Sequence, residues 1–496
     1  MASYILALDE GTSSARAALY DPNARLAALE TVPIDCRFPQ PGWVEQDAEA
    51  IWRAQLAAAR RVLARSGVAA SEIAAAGLTN QRETTIVWER STGAPVAPAI
   101  VWQCRRTADF CAALAASPSA ADITARTGLV VDPYFSASKI RWILDHVPEA
   151  ARRARNGDLL FGTVDAWLAW KLSNGAAHVT DVSNASRTLL MNLDSGNWDP
   201  RLLSLFDIPH SMLPRIVPSS GAAAVIAPEH LGAEIPLAAL AGDQQAALAG
   251  QACFRSGLSK NTYGTGCFAL LHTGSHRPVS RHRLLATRAA ATGPESQFAI
   301  EGSVFVAGAA IQWLRDQMGL IGSAADSETL AASVPDTGDV YFVPAFVGLG
   351  APYWDARARG VIAGLTRSAS RAHIVRAALE SIAYQTRELT DAMQADAGQP
   401  LAELRVDGGA AVNNFLMQFQ ADILGCPLVR PADIETTALG AAFLAGLAAG
   451  TWKSVSEVES FWRVERRFEP RLDRSTRERL FGEWKHAVGL ARSTAC

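Results

Sequence analysis

The sequence predicts an α/β protein of two large domains, and three observations carry that prediction. At 496 residues the chain is too long for a single hydrophobic core. Apolar runs of strand length alternate with segments of helical periodicity. A Gly/Thr/Ser turn between two apolar runs occurs near the start and again after residue 260, which suggests a duplicated domain, although no strict sequence period survives. The boundary is expected near residue 250, giving halves 1–250 and 251–496. With 49% hydrophobic and 19% charged residues and a net charge of −3, the composition lacks the basic surface a nucleic-acid partner requires. Seven scattered cysteines without CxxC or zinc-type spacing read as reduced thiols of a cytosolic protein. The apolar run at the start is too short for a signal peptide, and the tract 438–450 is shorter than a membrane span, so no membrane insertion is expected.

The first such stretch is DEGTSSAR, residues 9–16, in which a Gly/Thr/Ser turn joins the apolar runs 4–8 and 17–20 into a hairpin, with Asp9 at the strand end. Gly11 lets backbone N–H groups approach a ligand closely, and Thr12, Ser13 and Ser14 add hydroxyl donors, so the tip can cradle phosphate oxygens. Asp9 can hold a divalent metal and Arg16 can neutralise phosphate charge; a plain polar hairpin is the alternative. A third strand is expected over 26–34. A helix follows from an N-cap at Asp47 to a stop at Gly67, with Ile51, Leu56, Val62 and Leu63 as its apolar stripe. The strand 73–78 delivers NQRETT to its end, where α/β folds place sites. Arg82 and Glu83 there are either a solvated pair or groups that bond the hydroxyls of a small alcohol, whose carbons can rest on Trp102. The segment 134–146 is expected to turn from a Pro-bearing loop, at Tyr134, into a helix, and a core helix is expected over 163–172, with an Asn174-Gly175 turn before strand 179–181.

In AGDQQAAL, a Gly-Asp turn opens an Ala-rich helix with Asp243 and Gln244 at its N-terminus. Asp243 is then either an N-cap or a general base for a hydroxyl. NTYGTGCF, with Thr265 and Phe268, repeats the Gly/Thr turn. Gly308 opens a helix carrying Gln312 and permits close approach of a flat ligand. Residues 344–354 read as a Gly/Pro-rich loop, and a long helix runs from Ser370 to a stop at Gly398. Strand, Gly408-Gly409 turn and a helix bearing Asn413 then suit packing against a base and ribose, with a tight turn as the alternative. The helix 438–450, with Gly440, Gly446 and Gly450, is fit for close contact between lobes and for hinging.

Phosphate turn, polar loop, Asp at a helix start, second phosphate turn and Gly-Gly turn, in that order, resemble the FGGY family of carbohydrate kinases. NQRETT, WQCRRT, DPYFSASK, FGTVDAWLAWKL, TDVSNASRT, AGDQQAAL, NTYGTGCF, GLGAPYWD and VDGGAAVNNFLMQFQADILG carry the resemblance, which spans about residues 5–441. It implies two actin-like (ribonuclease H-like) ATPase domains with mixed sheets flanked by helices and the nucleotide in the interdomain cleft. It also implies ATP-dependent phosphorylation of glycerol to sn-glycerol 3-phosphate, with ATP and Mg²⁺ bound, in a cytoplasmic homodimer or homotetramer. On this resemblance Arg82, Glu83, Tyr134, Asp243 and Gln244 bond glycerol while Trp102 and Phe268 pack its carbons, and Asp243 is the base. Thr12, Ser13, Ser14 and Arg16 hold nucleotide phosphates, Asp9 faces Mg²⁺, and Thr265, Gly308, Gln312, Gly409 and Asn413 complete the ATP site. The chain departs from the usual pattern at Glu10, where Gln or His is commoner. Some bacterial members are inhibited by a sugar bisphosphate on a basic loop; here Glu234 stands where an Arg would be. A kinase for another polyol or ketose, and a non-catalytic actin-like switch, are the rival readings; NQRETT and AGDQQ speak against the switch, which needs no alcohol site.

Overall fold

Two sheets of closely similar plan carry the fold in the computed structural model, which describes residues 3–293, 295–355 and 357–493. In the first, the meander Tyr4–Glu10, Ser14–Tyr20, Leu26–Pro33 is antiparallel, while Ile73–Asn80 pairs parallel to Tyr4–Glu10 and Ile235–Gly242 parallel to Ile73–Asn80. Ser220–Ile226 closes the sheet antiparallel. In the second, Ser259–Tyr263, Cys267–Gly274 and Phe298–Val304 form the meander, extended by Leu285–Arg288. Leu404–Asp407 and Leu428–Pro431 are the parallel strands, and Val464–Phe468 the antiparallel end. The order of the second sheet thus repeats that of the first, and the duplication inferred from two Gly/Thr turns is present as architecture.

Helix Ala48–Ser66 covers strands Ser14–Tyr20 and Leu26–Pro33. Its ends are those the sequence dictates: the Asp47 side chain accepts from the Glu49 N–H, and Gly67 closes it in the left-handed conformation at φ 71°. The opposite face of this sheet is covered by Thr436–Ala448, a helix from the far end of the chain. Helix Arg371–Ala397 lies on the second sheet, between Ser370 and a left-handed Gly398. Among the described residues no helix is long and apolar enough to cross a membrane.

Two helices, one from each half of the chain, pack against each other. Asp243–Gly250 follows strand Ile235–Gly242, and Thr436–Ala448 follows the corresponding strand Leu428–Pro431. They cross backbone to backbone: a Cβ on Gly440 would stand 1.8 Å from the Ala246 carbonyl oxygen, and one on Gly250 1.9 Å from that of Thr436. Only glycine permits that approach. The middle and C-terminal end of helix Asp243–Gly250 are thereby fixed against the start of Thr436–Ala448, from the other half of the chain.

Candidate active site

The loop after strand Ile73–Asn80 forms the wall of the site. Arg82 is 2% exposed. Its fork meets the Glu301 carboxylate through two bonds, 2.6 and 2.9 Å long, and its Nε lies 3.1 Å from Asp243 Oδ1. Arg187 completes the cluster, with Nε donating to Glu83 at 2.6 Å and Nη2 to Glu301 at 3.1 Å. Two buried cations thus face two buried carboxylates, the condition under which charges are tolerated away from water. Burial alone would raise the Glu301 carboxyl, but Arg187 and Arg82 bring it down to about 2. Glu83 takes φ 61°, a costly conformation for a residue with a Cβ. Its carbonyl is pinned by Lys139 Nζ at 3.0 Å and by the hydroxyls of Ser136 and Thr85, each at 3.1 Å.

Beside this wall stand three rings. Trp102 meets Tyr134 edge-on at 5.6 Å and Phe268, from the second half, at 6.4 Å. The Tyr134 hydroxyl accepts from Arg82 at 3.5 Å, and Trp102 Nε1 donates to Thr12 Oγ1 at 2.9 Å. An apolar corner with charged groups on one side and a hydroxyl-bearing turn on the other suits a short polyhydric alcohol.

Asp243 is the first residue of its helix. The N-cap is Gly242, which has no side chain to cap with, so the capping role weighed from the sequence is not the one Asp243 fills. Its Oδ1 accepts from the Gln244 N–H at 2.8 Å and its Oδ2 from Gln244 Nε2 at 3.3 Å. Arg82, Glu83, Trp102, Tyr134, Phe268, Asp243 and Gln244 therefore lie in one connected set of contacts, the set the family resemblance grouped together.

The first hairpin turns on its Gly/Thr/Ser residues, as expected. Asp9 and Arg16 pair across it within the strands, leaving Gly11, Thr12 and Ser13 as the tip, with Ser13 exposed. Arg16 Nη1 lies 2.7 Å from Glu435, at the start of helix Thr436–Ala448, and 3.7 Å from Asp9. Burial pushes the Asp9 carboxyl up to about 6, opposed by Arg16 and aided by the charges of Asp243 and Glu435. Glu10 is fully buried; Gln81 donates to Oε1 at 3.2 Å, and Oε2 has no partner. Burial accordingly drives its carboxyl well above the usual range.

At the second hairpin the carbonyls of Gly264 and Thr265 receive the N–H groups of Gly308 and Ala307, at 3.0 and 2.9 Å. A Cβ on Gly308 would come within 2.6 Å of the Gly264 oxygen, so glycine sets this helix start against the turn. Gln312 is exposed on the same helix. Asn413 caps helix Asn414–Leu424, its Oδ1 accepting from Leu416 N–H at 2.9 Å. Of the paired glycines, Gly408 abuts Tyr263 at φ 87°, whereas a Cβ on Gly409 would meet open space.

The family models divide the chain between them. That of the FGGY carbohydrate kinase N-terminal domain matches residues 4–250, and that of the C-terminal domain residues 259–449. The chain belongs to the FGGY family of carbohydrate kinases. Within the family it is 56% identical to a glycerol kinase of Dechloromonas aromatica, over 98% of this chain and 97% of that protein. It is also 56% identical to a glycerol kinase of Symbiobacterium thermophilum, over 99% of both. The crystal structure of Plasmodium falciparum glycerol kinase with ADP superposes with a TM-score of 0.92 at 35% identity, covering 98% of each chain. Gluconate kinase of Lactobacillus acidophilus, at 21% identity and a TM-score of 0.88 over 99% of both chains, shares the fold. The fold is accordingly the two-domain, actin-like kinase fold, with mixed sheets flanked by helices.

Glu301, Arg187, Lys139 and Glu435 received no role from the sequence. One signal was present for Glu301: a lone acid inside FAIEGSV, a strand buried along its whole length, requires a cationic partner.

The kinase fold implies Mg²⁺, and the donors at the first hairpin fit it. Among the described residues no cage of three or more His, Cys, Asp or Glu side chains exists. Mg²⁺ uses one or two carboxylates together with phosphate oxygens and water, so Asp9 at a phosphate-type turn meets the need. A desolvated Asp9 also costs stability. Its folded pKa, about 6, lies above the ordinary 3.8, so the ionised form is disfavoured by folding and stability is lost as pH rises from 3.8 through about 6. Asp9→Asn is expected to stabilise the fold at pH 7, by at most roughly 3 kcal/mol for two pKa units, while losing Mg²⁺-dependent turnover. Denaturant melts of the variant at pH 4 and 7 check this; an advantage that fails to grow with pH would contradict it.

Proposed function

We propose that this carbohydrate kinase transfers the γ-phosphoryl group of ATP to a primary hydroxyl of glycerol, giving ADP and sn-glycerol 3-phosphate. The observation that carries the assignment of the base is Asp243: it is held at a helix start by Arg82 and Gln244, beside the ring corner. Full-length similarity to glycerol kinases supports the substrate.

Phosphoryl transfer asks the protein mainly for positioning and charge neutralisation. Arg82, Glu83, Tyr134 and Gln244 bond the hydroxyls, and Trp102 and Phe268 flank the carbons. The hydroxyl proton passes to Asp243 as its oxygen bonds to the γ-phosphorus and the bond from phosphorus to the ADP oxygen breaks. Thr12, Ser13, Ser14, Arg16 and the Thr265 turn hold the phosphates, with Gly308, Gln312, Gly409 and Asn413 lining the nucleoside side. Asp9 would hold Mg²⁺, which would supply neutralisation of phosphate charge. Residues 1–250 thus form the acceptor half and 251–496 the half that takes the adenosine. Arg16 exchanges Glu435 for phosphate when nucleotide enters.

ADP release from Mg-ATP, with glycerol, dihydroxyacetone, erythritol or xylulose and with no acceptor, tests the assignment. Glycerol is expected to give the highest kcat/KM; a higher value with xylulose would overturn it. Glu234 is exposed on the turn before strand Ile235–Gly242, where a carboxylate repels phosphate. Fructose 1,6-bisphosphate is accordingly expected to leave turnover unchanged at physiological salt; strong inhibition would refute that.

A further inference from the structure

Lys260 stands wholly buried on strand Ser259–Tyr263, outside every role assigned above. A buried ammonium is costly unless its N–H groups are bonded. Its Nζ donates to Gln244 Oε1 at 2.5 Å and to Thr262 Oγ1 at 2.8 Å, both uncharged acceptors. Burial brings the ammonium down to about 8, against the charges of Asp407, Asp243 and Glu301 and with that of Arg82, so it stays largely protonated at neutral pH.

The bond to Gln244 has a consequence at Asp243. A carboxamide accepts at one end and donates at the other. With Oε1 on Lys260, Nε2 is the end turned to Asp243, where it donates to Oδ2 at 3.3 Å. The flipped amide would set oxygen against carboxylate and N–H against ammonium, unfavourable at both ends. Oδ1 of Asp243 is already taken by Arg82 and the Gln244 N–H, which leaves Oδ2 to receive a proton. The lysine also comes from the second half of the chain, so it ties the acceptor carboxylate to the strand that leads into the second hairpin.

We infer that Lys260 is a positioning residue: through the Gln244 carboxamide it holds Asp243 in the orientation that accepts the hydroxyl proton. The inference rests on Asp243 being the base.

A double-mutant cycle on the full chain tests it, with Lys260→Met, Gln244→Met and the pair. Lys260→Met is expected to lower kcat/KM for glycerol on the order of 10- to 100-fold, with KM for ATP unchanged, since one charge-assisted bond is lost. In the Gln244→Met background the same substitution is expected to change glycerol kinetics by less than about twofold, because the group it acts through is gone. Losses that multiply, or Lys260→Met kinetics like wild type, would overturn the inference. If Lys260→Met does not fold, Thr262→Val, which frees one anchor of the ammonium, replaces it in the cycle. A smaller glycerol-specific loss that vanishes with Gln244→Met supports the inference, and multiplying losses or none refute it. Asp243→Asn measured alongside separates the two claims: wild-type turnover there defeats the base assignment, whereas an inactive Asp243→Asn with multiplying losses defeats the role of Lys260 alone.

Discussion

Replacing Arg82 by alanine is expected to remove both glycerol use and a large part of the stability of the fold. The side chain bonds Asp243 and also satisfies the fully buried Glu301 through two bonds. Without it, Glu301 and Glu83 share the single guanidinium of Arg187. Removing one partner of a buried ionic cluster typically costs about 3–5 kcal/mol, because the charge left behind is uncompensated. Arg82→Lys keeps the charge, yet a point ammonium cannot reproduce a fork that meets Glu301 while Nε reaches Asp243. It should restore part of the stability and little of the glycerol kcat/KM. Denaturant midpoints with glycerol kinetics check both arms. An alanine variant as stable as the wild type would show that the cluster contributes no net stability.

Local elements were legible where one residue decides them. Asp47 and Gly67 end helix Ala48–Ser66, and Ser370 and Gly398 end helix Arg371–Ala397, because capping chemistry is written in single positions. The acceptor side was legible through residue types at strand and helix ends, as with Arg82 and Asp243. The hairpin was legible because Gly11, Thr12 and Ser13 are turn formers between two apolar runs, which leaves Asp9 at a strand end, facing Arg16 across the ladder. Glu301 and Lys260 escaped. Arg82 and Glu301 are 219 positions apart, and nothing local in either says which buried charge it will meet. The same holds for helix Thr436–Ala448, whose Ala/Gly composition announces close packing without naming the first sheet as its partner.

Asp243→Asn is expected to leave a folded, nucleotide-binding protein with turnover in saturating glycerol reduced about 10²- to 10⁴-fold, the usual range for loss of a general base. Asn matches Asp in shape, and its carbonyl oxygen can still accept from the Gln244 N–H and Arg82 Nε, the two donors now on Oδ1. The cap of the helix is Gly242, so the substitution removes no side-chain cap. What stability it costs comes from the lost charge beside Arg82 and at a helix N-terminus, about 0.3–1 kcal/mol for a partly exposed carboxylate, and from an amide NH₂ standing where Oδ2 accepts from Gln244 Nε2. An amide has no basic lone pair for a hydroxyl proton, so the acceptor oxygen must attack while still protonated. The variant should therefore bind ADP with near-normal affinity in calorimetry and lose kcat far more than it loses glycerol binding. Turnover near wild type, together with a lowered melting temperature, would make Asp243 a structural residue and leave the proton without a carrier in this site.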